Sequence, residues 1–179
     1  MAQPTAGDVR AFWDQNPLCA GMIPHPLGSR EYFEYYDRLR EEIESEAFSY
    51  RLHEYWAFAG RRVLDVGSGN GYVLSRYARE GAETYGIDIT PTAVDLCRKR
   101  FAYAGLSGDF RVAEAEHLPF ADGFFDCVCS MGVLHQVPDT ERAIAEIHRV
   151  LKPGGRLVVM FYHRTSCGVS RTWKCRSAT

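Results

Sequence analysis

The sequence predicts an α/β fold with a doubly wound parallel sheet, on three observations. Short, nearly all-apolar segments alternate with helical stretches through residues 61–162. A glycine-rich loop, Gly67-Ser68-Gly69-Asn70-Gly71, ends the first apolar segment. The segments are too continuous for a sheet with one wet face, so helices must cover both faces.

Taken in order, the first sixty residues stand apart, rich in aromatic and charged residues at helical spacing. Residues 16–28 hold too many turn formers for one regular element. Ser29 caps a predicted helix over about 31–47, with Tyr32, Tyr35, Tyr36, Leu39 and Ile43 as its apolar stripe. A shorter helical piece follows over about 50–58. The first strand is Arg62–Val66, and a helix runs from the glycine loop to about Glu80. The second strand is Glu83–Asp88. Thr90 as N-cap and Pro91 at the first helical position open a helix to about Ala104, with Val94, Cys97, Phe101 and Ala104 on one face. Strands over Asp109–Val112 and residues 125–130 come next. A helix over 140–151 turns Ala143, Ile147, Val150 and Leu151 inward. Lys152-Pro153-Gly154-Gly155 stops it, and residues 156–162 form the fifth strand. The organisation read from this is an N-terminal helical segment over 1–60, a core over 61–162 and an irregular tail over 163–179.

Composition excludes several classes. At 179 residues, 46% hydrophobic and 25% charged, the chain suits one globular domain. A net charge of −2 gives no reason to expect nucleic acid or an anionic membrane as partner. No run reaches the roughly eighteen apolar residues of a membrane span, and the N-terminus lacks the basic and apolar regions of a secretory signal. A cytoplasmic protein is expected. Cys127 and Cys129 share a strand face and read as small core side chains. The six cysteines show no zinc-ligand spacing, so no structural metal is expected.

In a doubly wound sheet, ligands sit outside the carboxyl ends of the strands where the strand order reverses. The glycine loop falls there. Glycines allow a tight turn and let a ligand approach the backbone. Their spacing is GxGxG; Tyr72 stands where the third glycine of a dinucleotide fingerprint would fall. Asp65, at the strand end, would repel a pyrophosphate and suits a cationic group. S-adenosylmethionine (AdoMet), with an ammonium, a sulfonium and no phosphate, fits that charge. Asp88, at the end of the second strand, can accept hydrogen bonds from both ribose hydroxyls.

These residues also resemble a known family, the class I AdoMet-dependent methyltransferases, in the subgroup that includes ubiquinone- and menaquinone-biosynthesis-like enzymes. Val63-Leu64-Asp65-Val66-Gly67-Ser68-Gly69-Asn70-Gly71 is similar to the family's first motif, and Tyr85-Gly86-Ile87-Asp88-Ile89 to its second. Ala113-Glu114-Ala115-Glu116-His117-Leu118-Pro119-Phe120 with Phe124-Phe125-Asp126-Cys127-Val128 resembles the third and fourth. Arg149-Val150-Leu151-Lys152-Pro153-Gly154-Gly155 matches the stretch before the fifth strand. The resemblance implies a Rossmann-like core that transfers methyl to an O, N or C atom of a small molecule, leaving S-adenosylhomocysteine (AdoHcy). It implies cofactor contacts from Asp65, Gly67, Ser68, Gly69, Gly71, Asp88, Ile89, Glu114, Ala115 and Ser130. Asp65 would face the methionine amine, Glu114 the adenine amino group, and Ala115 would supply a backbone N–H; Glu116 competes with Glu114. Ser130, Met131 and Gly132 would line the pocket near the methyl group.

His135, just past the fourth strand, is the one candidate general base. Displacement at a sulfonium can draw most of its rate from positioning, so a base is needed only where the acceptor must lose a proton. Phe12, Trp13, Tyr32, Phe33, Tyr36 and Trp56 either cover the cofactor or pack on the sheet. Two other readings stay open: an AdoMet-fold protein with a binding or regulatory role, and a nicotinamide-dependent oxidoreductase, which the glycine spacing disfavours. The resemblance implies a further helix and a two-stranded addition after the fifth strand, and residues 163–179 are too few for them. The chain therefore reads as C-terminally truncated, with weakened turnover and self-association through an exposed fifth strand expected.

Overall fold

Two periodicities divide the labour in this chain. The computed structural model describes residues 4–162. Its five strands are β1 (Arg62–Val66), β2 (Glu83–Asp88), β3 (Asp109–Val112), β4 (Phe125–Met131) and β5 (Leu151–Met160). They form one all-parallel sheet in the order β3-β2-β1-β4-β5. The order reverses between β1 and β4, so the crevice of a doubly wound fold opens at their carboxyl ends.

Alternation along β1 sends Val63 and Asp65 to one face and Leu64 and Val66 to the other. On the first face, helices α4 (Tyr72–Arg79) and α5 (Pro91–Ala104) bring Leu74, Tyr77, Val94, Cys97 and Phe101 onto Val63, Cys127, Cys129 and Val158. On the second, α6 (Thr140–Val150) lays Ala143, Ile147 and Val150 against Leu64, Val66 and Val128. Thr90 caps α5 by accepting from the Ala93 N–H at 3.2 Å, with Pro91 in the first turn as expected.

The N-terminal segment contains α1 (Ala6–Gln15), α2 (Arg30–Ile43) and α3 (Glu46–His53). Helix α1 is additional to the elements expected from the sequence, and Thr5 and Asp8 form a capping box at its start. Ser29 does cap α2, but the helix stops at Ile43, because Ser45 accepts from the Phe48 N–H and starts α3 there. Ile43, expected in the apolar stripe, is 80% exposed and lies off the buried face. Tyr32, Phe33 and Tyr36 instead pack on Tyr72 and Leu96, so α2 forms an outer layer over α4 and α5. Ala104, the last residue of α5, is also exposed, and Leu96 and Arg100 are buried with Val94, Cys97 and Phe101. Residues 152–155 do not separate helix from strand: β5 already begins at Leu151, and a register shift opposite Phe125–Cys127 absorbs the glycines. The predicted tail over 163–179 lies outside the described residues.

Leu64→Ala should destabilise the protein by about 2–5 kcal/mol, the range for truncating a fully buried leucine. Ile43→Ser should stay within about 0.5 kcal/mol, as at other exposed sites. Urea denaturation of both variants distinguishes the observed α2 face from the predicted stripe.

Candidate active site

The glycine loop is shaped by its own hydrogen bonds. The Gly67 and Ser68 N–H groups both donate to the Ile87 carbonyl, at 2.8 and 2.9 Å, and stitch the loop to the end of β2. The Gly69 N–H donates to Asp88 Oδ2 at 3.0 Å. Asp88 Oδ1 accepts from the Thr90 N–H and hydroxyl, both at 3.0 Å, so one carboxylate ties the loop to the start of α5. Burial pushes the Asp88 carboxyl above its ordinary range, against the pull of these bonds.

The loop needs left-handed backbone at Gly67 (φ +80°) and Gly69 (φ +53°). At Gly67 a Cβ would also strike Val133, 2.3 Å away, whereas at Gly69 nothing lies within 4 Å. Gly67 is thus a packing glycine, and Gly69 is the one whose surface stays open for a ligand.

Asp65 sits beneath the loop, 3% exposed, opposite Cys129 in the register of β1 and β4. Its Oδ1 atom is buried without a hydrogen-bond partner among the described residues. Loss of water pushes its carboxyl up to about 7, with the Asp88 charge adding to the shift.

Other predicted residues are committed elsewhere. The Ser130 hydroxyl is fully buried and donates to the Val66 carbonyl at 2.9 Å, bridging β4 to β1. Ser68 is buried, with its hydroxyl 3.4 Å from the Cys97 sulfur. Gly71 serves the contact of loop and α5, since a Cβ there would lie 3.1 Å from Cys97 Sγ. Ile89 is half-buried next to Asp88, and Ala115 belongs to the core on the α6 side. Of the two rival acids, Glu116 is buried and accepts from the Asp139 N–H at the start of α6. Glu114 is the freer, half-exposed and 3.8 Å from Arg10. It helps line a cleft of about 490 Å³ with Thr5, Ala6, His117, Asp139 and Arg142; Gly67, Gly69 and Asp88 are not in its wall.

Helix α1 roofs the carboxyl ends of the strands. Its Asp14 accepts from the Thr92 hydroxyl at 2.6 Å, and Arg10 faces Glu114. The Trp13 indole N–H donates to Gln136 Oε1 at 2.9 Å, and the Gln136 amide donates to the Gly132 carbonyl at 2.9 Å. No α1 residue is fully buried, so its packing is marginal and polar contacts hold it to two loops and to the first turn of α5. Of the six aromatic residues expected near the site, Phe12 and Trp13 lie on this roof. Tyr32, Phe33 and Tyr36 pack in the outer layer, and Trp56 is exposed and stacked on Tyr50. His135 is exposed beside Tyr162, with ring centres 5.1 Å apart, and burial holds its imidazole below its usual range. A neutral ring there can accept a proton. Asn70, Cys97, Arg100 and Gln136, absent from the predicted set, support the loop and roof through partners distant in sequence.

A family model described as a methyltransferase domain matches residues 64–159. The ubiquinone/menaquinone biosynthesis C-methyltransferase of Haemophilus ducreyi is 32% identical over 137 residues, 69% of this chain and 53% of its own length. The chain therefore spans about half the length of the curated relatives it matches. Among solved structures, the [4+2]-cyclase SpnF aligns with a TM-score of 0.72 and 29% identity, over 93% of this chain and 65% of its own. An S-adenosylmethionine-dependent methyltransferase from Mesorhizobium loti aligns with a TM-score of 0.53 and 29% identity, over 59% of this chain and 48% of its own.

The raised Asp65 carboxyl has a stability signature. Unfolded, it ionises near 3.8; folded, near 7, so folding takes up a proton between those values. Its contribution favours the native state at low pH and is lost as pH rises to 7. Asp65→Asn should therefore melt above the wild type at pH 8, with the gap shrinking towards pH 5. A pH-independent gap in thermal melts would overturn the assignment.

Proposed function

Since the chain belongs to this methyltransferase-domain family, we propose that it binds AdoMet at the carboxyl ends of β1 and β2 and methylates a small-molecule acceptor, leaving AdoHcy. The observation that carries this reading is Asp65. A buried carboxylate oxygen without a partner requires a donor, and a cationic donor restores the ionised form. An ammonium meets that need, whereas a pyrophosphate would be repelled. The open surface of Gly69 gives the cofactor room to approach the backbone.

When bound, AdoMet supplies a methyl group on a sulfonium, open to direct displacement by the acceptor. The chain's residues then have positioning work. Asp65 pairs with the amine. Asp88 still has lone pairs beyond its three accepted bonds and takes the ribose hydroxyls. Glu114 accepts from the adenine amino group beside the Ala115 backbone, since Glu116 is occupied. Gly67, Ser68, Gly71, Ile89 and Ser130 shape the walls from behind. The name of the Haemophilus relative supports carbon among the possible acceptor atoms. Where that atom must lose a proton, His135 is the candidate base.

A second reading is favoured by the likeness to the [4+2]-cyclase, which takes in 93% of the chain: the site binds AdoMet and holds a small molecule without methylating it. Incubation with methyl-labelled AdoMet and metabolite pools separates the two, because only methyl transfer labels a product. Residues 1–60 act in either reading as the substrate-side segment, with 61–162 as the cofactor core. Four free thiols among the described cysteines support a reducing, cytoplasmic setting.

Self-association through β5 belongs to the proposal. Among the described residues no strand pairs with its outer edge, and Leu157 and Val159 are 39% and 37% exposed.

Titration calorimetry should show AdoMet and AdoHcy binding and no binding of NAD. Asp88→Ala should weaken AdoMet by about 1–3 kcal/mol, the loss expected for charge-assisted hydrogen bonds. Gly69→Val should abolish binding with a native circular dichroism spectrum, because its side chain enters the ligand's space and not the core. Unchanged affinity in both variants would place the cradle elsewhere. Sedimentation should show oligomers that dissociate in Val159→Lys; a wild-type monomer would remove the edge proposal.

A further inference from the structure

The back of the glycine loop is held by a buried arginine. Arg100, on α5 and 4% exposed, donates from Nε to the Asn70 carbonyl at 2.8 Å and from Nη1 to Asp37 Oδ1 on α2 at 2.7 Å. Its guanidinium carbon lies 4.7 Å from the ring centre of Phe33 and 5.7 Å from those of Tyr36 and Tyr72. The Cys97 thiol, one turn earlier, donates to the Gly69 carbonyl at 3.4 Å. Gly71 lets this face of α5 come close: a Cβ there would lie 3.1 Å from Cys97 Sγ and 3.6 Å from Arg100 Cδ. The Asn70 Oδ1 in turn accepts from the N–H of Tyr72, the first residue of α4, at 3.2 Å. Gly69 and Asn70 are therefore each bonded backwards to α5, while the Gly69 N–H bonds forwards to Asp88.

Stability alone does not explain such a pair. A buried ion pair contributes little beyond apolar residues of the same volume, because desolvation consumes most of the attraction. The Arg100 Nη2 atom even lacks a hydrogen-bond partner among the described residues. What the planar fork does is fix two points at once, a carbonyl of the loop and a carboxylate of the outer helix, at one separation.

We propose that Arg100 is the positioning residue of the cofactor loop and that Asp37 orients it, which makes helix α2 and the loop one mechanical unit. The inference rests on the AdoMet reading of the site. Without the guanidinium, the Asn70 carbonyl is released, the turn through Gly69 samples other conformations, and cofactor affinity falls although no ligand contact is removed.

The test measures AdoHcy affinity by calorimetry and, separately, ligand-free melting and amide hydrogen exchange. Arg100→Met should raise Kd about tenfold, as for loss of a charge-assisted hydrogen bond that holds the binding conformation. Arg100→Lys, which can reach one partner but not both, should fall between it and the wild type, and Asp37→Asn should give a smaller rise. The double variant Arg100→Met/Asp37→Leu removes both charges and should melt close to the wild type while keeping the weakened Kd. Exchange of the Gly69 and Gly71 amides should quicken in the arginine variants, with the β1 amides still protected. Lys152→Met, which breaks the ion pair with Asp126 at the opposite, amino ends of β1 and β4, should lower the melting temperature and leave Kd unchanged. Native affinity in the double variant, or a Kd in Lys152→Met that rises as much as in Arg100→Met, would overturn the proposal. If the wild type does not bind AdoHcy, the cofactor reading fails, and unchanged Gly69 and Gly71 exchange in Arg100→Met then refutes the positioning role independently.

Discussion

Three hydrogen bonds converge on the Asp88 carboxylate at the carboxyl end of β2: from the Gly69 N–H, the Thr90 N–H and the Thr90 hydroxyl. Much of the local architecture depends on them. They place the glycine loop of β1 over its neighbouring strand and set the first turn of α5. They also hold an acid at the crevice mouth, against the desolvation that would neutralise it. Because β1 and β2 are paired in register up to Val66 and Ile87, the loop has nowhere else to go once these bonds form.

The neighbouring face carries a different kind of polar chemistry. Asp65, Cys127 and Cys129 lie on one face of β1 and β4, together with Tyr77 of α4. Tyr77 donates to the His53 carbonyl at 3.3 Å and lies 3.1 Å from His53 Nδ1, an arrangement that fits a proton on that nitrogen. Burial drives His53 down to about 4 and both thiols well up, so these groups are neutral around neutral pH. Among them Asp65 is set apart, since its carboxyl lies near 7 and one oxygen has no partner.

The N-terminal segment performs two separate tasks that its shared composition conceals. Helix α2 buries Tyr32, Phe33 and Tyr36 on α4 and α5 and reaches the loop through Asp37 and Arg100. Helix α1 buries no residue fully and is held over the strand ends by Trp13, Asp14 and Arg10. The first is a support and the second a cover, and the cover has much the weaker packing. Helices held by so few apolar contacts belong to the low-stability end of a structure, where local opening is least costly.

Much of the core was legible in the sequence, because its determinants are local. The bounds of β1, β2, β3 and α5 follow from apolar runs and from Thr90 and Pro91. The positions of the GxGxG loop, Asp65 and Asp88 were legible for the same reason: strand alternation and loop position decide where those carboxyls emerge. Local pattern therefore sufficed for the fold class and for the strand ends at which the two carboxyls stand. Which polar atoms remain free was decided only by tertiary structure. Ser130 is consumed by Val66, sixty-four residues away, and Glu116 by Asp139, twenty-three away, leaving Glu114 the freer acid. Ile43 misses the core because Ser45 breaks the helix beside it, and Arg100 becomes a support because Asp37 and Asn70 arrive from sixty-three and thirty residues away. Periodicity assigns a residue to a face, but a hydrogen bond needs a partner at about 3 Å, and only packing brings such partners together.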